Sequence, residues 1–134
     1  MRIDNEVKLD FSDVLIRPKR STLTSRRDVA LEREFTFLHS PKVWRGIPII
    51  TANMATSGTL EMARALSESR MITALHKFYS PEELEVFFKS FNNPDYVAYS
   101  LGIRDEDFEK LKVMKEKNLL GNFSFICLDV PNSR

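Results

Sequence analysis

Residues 71–91, MITALHKFYSPEELEVFFKSF, hold the pattern on which the fold turns. Met71 to Leu75 is a short, almost unbroken apolar run, the composition of a strand covered on both faces. His76-Lys77-Phe78-Tyr79 follows as a corner. Ser80-Pro81-Glu82-Glu83 then supplies a hydroxyl that can accept from free helix N–H groups and a proline where no N–H is needed. Glu83 can bond back to the cap in turn. The helix started this way runs to about Phe91, with Leu84, Phe87, Phe88 and Phe91 along one side. Asn92-Asn93-Pro94 ends it.

The same alternation extends in both directions. Upstream, Ile47-Pro48-Ile49-Ile50-Thr51-Ala52 reads as another buried strand. A polar corner from Asn53 to Gly58 leads into a helix over 59–69, with Leu60, Ala63 and Leu66 facing one way. Downstream, Tyr96 to Ser100 forms a third strand and Gly102 to Asp105 a corner with Asp105 as cap. A helix over 106–117 turns Phe108, Leu111 and Met114 inward, and Phe123 to Val130 (FSFICLDV) forms a fourth strand. Strands alternating with helices at a repeat of about thirty residues or fewer indicate parallel βα units. A small open α/β sheet and part of a (β/α)8 barrel both satisfy that grammar. The corners favour the barrel, where function sits on the loops after the strands. Those corners read Asn53-Met54-Ala55-Thr56, His76-Lys77, Ser100-Leu101-Gly102 and Asp129-Val130-Pro131-Asn132, whereas the opposite corner at 92–95 is plain turn chemistry. Alternation points Ile47, Ile49, Phe123, Phe125 and Cys127 towards the interior.

Ahead of Gly46 the signals are shorter. In LDFSDVLIRPKR (9–20), apolar alternation around Val14 and Ile16 stops at Pro18, which suggests an edge strand or hairpin arm. Residues 17–27 carry Arg17, Lys19, Arg20, Arg26 and Arg27 with no acid, a loop composition. LEREFTFL (31–38) suggests another short strand. The expected organisation is an arm over 1–45 followed by the first four βα strands over 46–134.

Composition narrows the function. The 134 residues carry a net charge of +1, so no global bias towards nucleic acid or anionic membrane exists. No apolar run is long enough to span a bilayer, and the N-terminus has no signal-peptide core, so a cytoplasmic location is the expectation. Cys127 is the sole cysteine, which excludes an internal disulfide and a multi-cysteine zinc site. His39 and His76 lie far apart, so no metal constellation is visible. Neither G-x-G-x-x-G nor a P-loop is present, and a bound phosphate needs another geometry.

Individual residues carry two readings each. Cys127, inside an apolar strand with no nearby base, reads as a small buried hydrophobe rather than a nucleophile. Asp129 shares its face and ends the strand; it either caps the next turn or serves a site. Lys77 is either a solvated lysine or a point charge for a ligand phosphate or carbonyl. The basic run 17–27 is either a solvated loop or a phosphate site built from the Arg26 fork and the Ser25 hydroxyl.

Taken in order, the blocks DVLIRPKRSTLTSR, LEREFTF, GIPIITANM, ALHKFYS and FICLDV resemble the guanosine monophosphate reductases, from Arg2 to about Val130. The related inosine monophosphate dehydrogenases usually carry an insert between the second helix and third strand. The junction here is only Asn92 to Asp95, which favours the reductase. The resemblance implies an α/β fold, the N-terminal part of a (β/α)8 TIM barrel with four parallel strands and three helices preceded by a short β arm. It also implies a homotetramer that reduces GMP to IMP and ammonia with NADPH through a covalent cysteine adduct. The family's nucleophilic cysteine, proton-transferring threonine, potassium site and phosphate loop belong to its second half, so no catalytic residue is expected in this chain. At matching positions the family's cofactor contacts fall on Ser25 and Arg26, reaching a neighbouring subunit's NADPH, and on Lys77, Asp129, Val130 and Pro131. Ala55 stands where the family has a carboxylate, and Pro131 and Ser133 depart from its loop after the fourth strand. Pro131 removes a backbone donor and Ser133 replaces a glycine. Two alternatives stay open: an inactive half-barrel with a binding or interaction role, and a fragment of an IMP dehydrogenase-like enzyme.

Overall fold

A computed structural model describes residues 6–130, and the chain divides into a unit ending at Ala30 and a larger one beginning at Leu31. In the first unit, local side-chain bonds win over strand pairing. Asp10 accepts the Phe11 N–H at 2.7 Å and donates its own N–H to the Asp13 carboxylate at 2.9 Å. This closes a 3-10 turn at Phe11–Asp13. The strand expected within 9–20 does not form: the turn takes up the backbone around Asp10, and Leu15 and Ile16 are both 97% exposed with no strand beside them. A second 3-10 turn, Arg26–Asp28, is capped by Ser25.

The larger unit opens with an antiparallel hairpin, β1 (Arg33–Thr36) and β2 (Val43–Gly46), which sets Phe35 opposite Trp44. Strand β2 escapes a hydrophobicity reading because its four residues, Val-Trp-Arg-Gly, include a charge and a glycine. Four parallel strands follow in the order β3 (Ile50–Thr51), β4 (Ile72–Leu75), β5 (Val97–Leu101) and β6 (Phe125–Leu128). Helices α1 (Leu60–Glu68), α2 (Pro81–Phe88) and α3 (Asp105–Glu116) connect them in turn. Ser80 caps α2 as its sequence requires: its hydroxyl accepts from the Glu83 N–H at 3.2 Å while its own N–H donates to the Glu83 carboxylate at 2.7 Å. That backbone bond holds Glu83 below the usual carboxylate range. Asp105 is not the cap of α3 but its first helical residue; Asp107 accepts the Arg104 N–H at 3.1 Å instead.

Register assigns the two faces of the sheet. Ala74, Ala98 and Phe125 stand side by side, as do Leu75, Tyr99 and Ile126 one residue later. The face carrying Leu75, Val97 and Tyr99 packs against Ala63 of α1, Leu84 and Phe87 of α2 and Met114 of α3. The opposite face, with Ile72, Ala74, Ala98, Phe125 and Cys127, packs against Trp44 from the hairpin. The interior expected from simple alternation is therefore right for Phe125 and Cys127 and wrong for Ile49 and Phe123. Ile50 pairs with Ile72 and takes the inner place, and the bond from the Ile49 N–H to the Ile47 carbonyl at 2.7 Å breaks the alternation before it. Phe123 lies on the helical side, edge-on to Phe88 with ring centroids 4.8 Å apart. The 3-10 turn at Leu120–Asn122 resets the chain before β6 begins.

Strands β4 and β5 are buried along their whole length, as expected of inner strands. The run at 47–52 is not. Ile49 is 54% and Ile50 62% exposed, because β3 has a neighbour on one side only among the described residues. The same holds for β6, whose Ile126 and Leu128 are 59% and 65% exposed.

Candidate functional site at the C-terminal edge of the sheet

Because all four strands run the same way, the corners after them gather on one edge. The tightest approach there is at Gly58. A Cβ on this residue would lie 2.4 Å from the Ala74 carbonyl oxygen and 2.9 Å from the His76 nitrogen, so only glycine fits. Its carbonyl accepts the His76 N–H at 2.9 Å and joins the corner after β3 to the corner after β4.

The corner after β4 holds Lys77 and is braced on several sides. The His76 ring stacks on Tyr79 with centroids 4.0 Å apart, and its Nδ1 accepts the Phe78 N–H at 3.3 Å. The Tyr79 hydroxyl accepts the Leu60 N–H at the start of α1, at 3.2 Å. From α3, the Lys110 ammonium donates to the Lys77 carbonyl at 2.6 Å. Lys110 is half-buried, and burial lowers its pKa against the opposing pull of Asp107 and Glu83. Lys77 itself is half-buried, and among the described residues its ammonium meets no carboxylate. Such a cation, held by its backbone and left open at its tip, is free to meet an anionic or carbonyl oxygen.

Asp129 sits at the end of β6, two strands from β4, which places the two strand lines about 10 Å apart. Its N–H donates to the Leu101 carbonyl at 2.9 Å, carrying the ladder one step past β6, while its side chain is exposed. Val130 is half-buried beside it, and Pro131 lies outside the described residues. The sheet edge thus brings Lys77 and Asp129 onto one rim. Ser25 and Arg26 belong to the other unit. There the Ser25 hydroxyl accepts the Arg27 N–H at 3.2 Å, so it works as a helix-turn cap, and Arg26 is exposed.

Cys127 is a free, half-buried thiol packed with Trp44, Ile72, Ala74 and Ala98. Its register neighbour is Ser100, whose buried hydroxyl has no protein partner. Nothing in that surrounding would draw off the thiol proton. No group of three or more His, Cys, Asp or Glu able to hold a metal occurs among the described residues. Among them, too, no helix is long and apolar enough to cross a membrane. Lys110 and Tyr79 were not marked by the sequence: Lys110 is one of three lysines on a strongly charged helix, and only the fold shows which of them reaches the corner.

The chain is similar to several known proteins. Curated GMP reductases of Shigella boydii and of Escherichia coli are each 52% identical to it over 135 residues, which is 98% of this chain. The chain matches the N-terminal portion of GMP reductases. It spans 38% of the length of those relatives. An inosine 5′-monophosphate dehydrogenase from Legionella pneumophila has a similar structure, with a TM-score of 0.61 and 28% identity over 90% of this chain and 34% of that one. No family model matches. The parallel sheet with three helices is therefore the first part of a TIM barrel, and its C-terminal edge is the edge where barrel enzymes place their sites. The hairpin carrying Trp44 closes over the sheet's inner face, where an apolar cavity of about 480 Å³ lies between Phe35, Trp44, Ile50, Ile72, Ala98 and Phe125.

Proposed function

We propose that this chain is the cofactor-side portion of an NADPH-dependent GMP reductase, which converts GMP to IMP and ammonia in the cytoplasm as a homo-oligomer. In this reading residues 1–45 form an arm and 46–134 the first part of the barrel. The observation that supports it most is Lys77, held on a braced corner at the rim with its ammonium open and Asp129 on the same rim. Lys77 serves as a point charge for NADPH, and the Asp129 carboxylate with the backbone at Val130 and Pro131 meets its nicotinamide end. Arg26, exposed beside the Ser25 cap, reaches the cofactor of a neighbouring subunit, where its fork suits the phosphate that separates NADPH from NADH. The nucleophile, the proton donor and the potassium ion belong to the rest of the full-length protein.

Steady-state kinetics of the full-length protein test this reading. Arg26→Ala should raise the KM for NADPH and leave that for GMP unchanged, a loss of about 1.5–3 kcal/mol for one charge-assisted phosphate contact. Equal weakening of both substrates would assign Arg26 to the structure instead.

A further inference from the structure

We infer that Lys110 is a positioning residue: it fixes the corner at 76–79 so that the Lys77 ammonium stands ready for the cofactor. The inference rests on the cofactor reading of Lys77 given above and goes beyond it, since Lys110 itself touches no substrate. Its ammonium donates to the Lys77 carbonyl at 2.6 Å, across 33 residues of sequence, and so ties the middle of α3 to the end of β4. A lysine half-buried between two helices is costly unless its charge is answered. Here the carbonyl answers it directly, with Asp107 and Glu83 as the nearest charges of opposite sign.

The remaining bonds that reach the corner from other elements fall on its other residues. The Tyr79 hydroxyl ties residue 79 to α1, the capping box ties Ser80 to α2, and the Gly58 carbonyl holds residue 76. The Lys77–Phe78 peptide is held from within the corner by the His76 Nδ1, which accepts the Phe78 N–H, and from outside it by Lys110, which ties its carbonyl to another element. Without that anchor the peptide between His76 and Phe78 can turn, and the direction of the Lys77 side chain turns with it. A misdirected charge weakens binding of the ligand it faces without disturbing the other substrate.

The test uses the full-length protein with Lys110→Met, which keeps the aliphatic stem and removes the ammonium, and with Lys110→Arg, which keeps a donor. Lys110→Met should raise the KM for NADPH by about tenfold, the lower end for a lost charged hydrogen bond, with the KM for GMP and the melting temperature nearly unchanged. Lys110→Arg should restore most of that loss. In a Lys77→Ala background, Lys110→Met should add nothing, because it acts through Lys77. Amide hydrogen exchange at Phe78 should quicken in Lys110→Met whatever the kinetics show. An additive loss in the Lys77→Ala background, equal changes in both KM values, or unchanged exchange at Phe78 would overturn the inference. Lys77→Ala on its own separates the two levels: if it leaves the KM for NADPH unchanged while Lys110→Met still quickens exchange, the brace is real and its cofactor role is refuted.

Discussion

A polypeptide of residues 1–134 alone is expected to show no GMP-dependent oxidation of NADPH. Covalent catalysis on a purine ring needs an activated nucleophile, a proton donor and a grip on the nucleotide phosphate. The one cysteine of this chain cannot serve as the first. Cys127 lies on the inner face of β6 among Trp44, Ile72, Ala74 and Ala98, and the polar neighbour beside it in the ladder is a serine rather than a base. Neither of the two histidines helps: His76 spends its Nδ1 on the Phe78 N–H and its ring face on Tyr79, while His39 lies between the hairpin strands. Orienting a cofactor does not replace the missing bond-making group. The assay follows NADPH absorbance with saturating GMP, with the full-length protein as positive control. Turnover by the short polypeptide above background would show that residues 1–134 contain a working nucleophile.

Replacing Trp44 by alanine should cost about 3–5 kcal/mol of stability, the range for truncating a buried tryptophan. Trp44 is 4% exposed and is the side chain by which the hairpin grips the inner face of the sheet. Its ring lies 5.9 Å from Phe35, 6.2 Å from Tyr96 and 6.3 Å from Phe125, the last two edge-on, and its Nε1–H donates to the Asp95 carbonyl at 2.8 Å. The indole thus joins β1, β6 and the 3-10 turn at Pro94–Tyr96 to its own strand. The alanine variant loses this packing and leaves the Asp95 carbonyl without its donor. Polar ties around it do not compensate. Lys42 meets Asp95 at 2.9 Å and holds that carboxyl below its ordinary range, yet both side chains are largely solvated, where such pairs contribute little. Trp44→Phe separates the effects, since it keeps most of the ring contact and gives up the hydrogen bond, a loss nearer 1 kcal/mol. Urea unfolding at one fixed protein concentration measures both variants. A cost below about 1 kcal/mol for Trp44→Ala would mean that the hairpin is not part of the core.

The parts of this fold that could be read from the sequence are those where local chemistry and tertiary packing agree. Ser80, Pro81 and Glu83 specify the start of α2 by themselves, and the apolar runs of β4 and β5 match strands buried on both sides. Parallel strands separated by helices follow from that rhythm, and with them the edge where barrel enzymes place their sites. Legibility failed where a distant contact decides. Val14 to Ile16 alternate like a strand, but a strand needs a partner, and Asp10 and Asp13 close a turn instead. Trp44 sits in a stretch with no strand signature and becomes a strand because β1 folds back on it. Ile50 rather than Ile49 faces inward because register against Ile72, not counting from Ile47, sets the phase. The site divides in the same way. Lys77 and Asp129 are legible as strand-end residues, whereas Lys110 is not, since its role depends on which turn of α3 passes the corner after β4.

The most direct test of the cofactor-side reading is a crystal structure of the full-length protein with NADPH bound. The reading predicts that the Lys77 ammonium and the Asp129 carboxylate each lie within about 3.2 Å of a polar atom of the cofactor, with the 76–79 corner unmoved and still tied to Lys110. NADPH bound at a different edge of the barrel, with Lys77 and Asp129 both facing solvent, would contradict it.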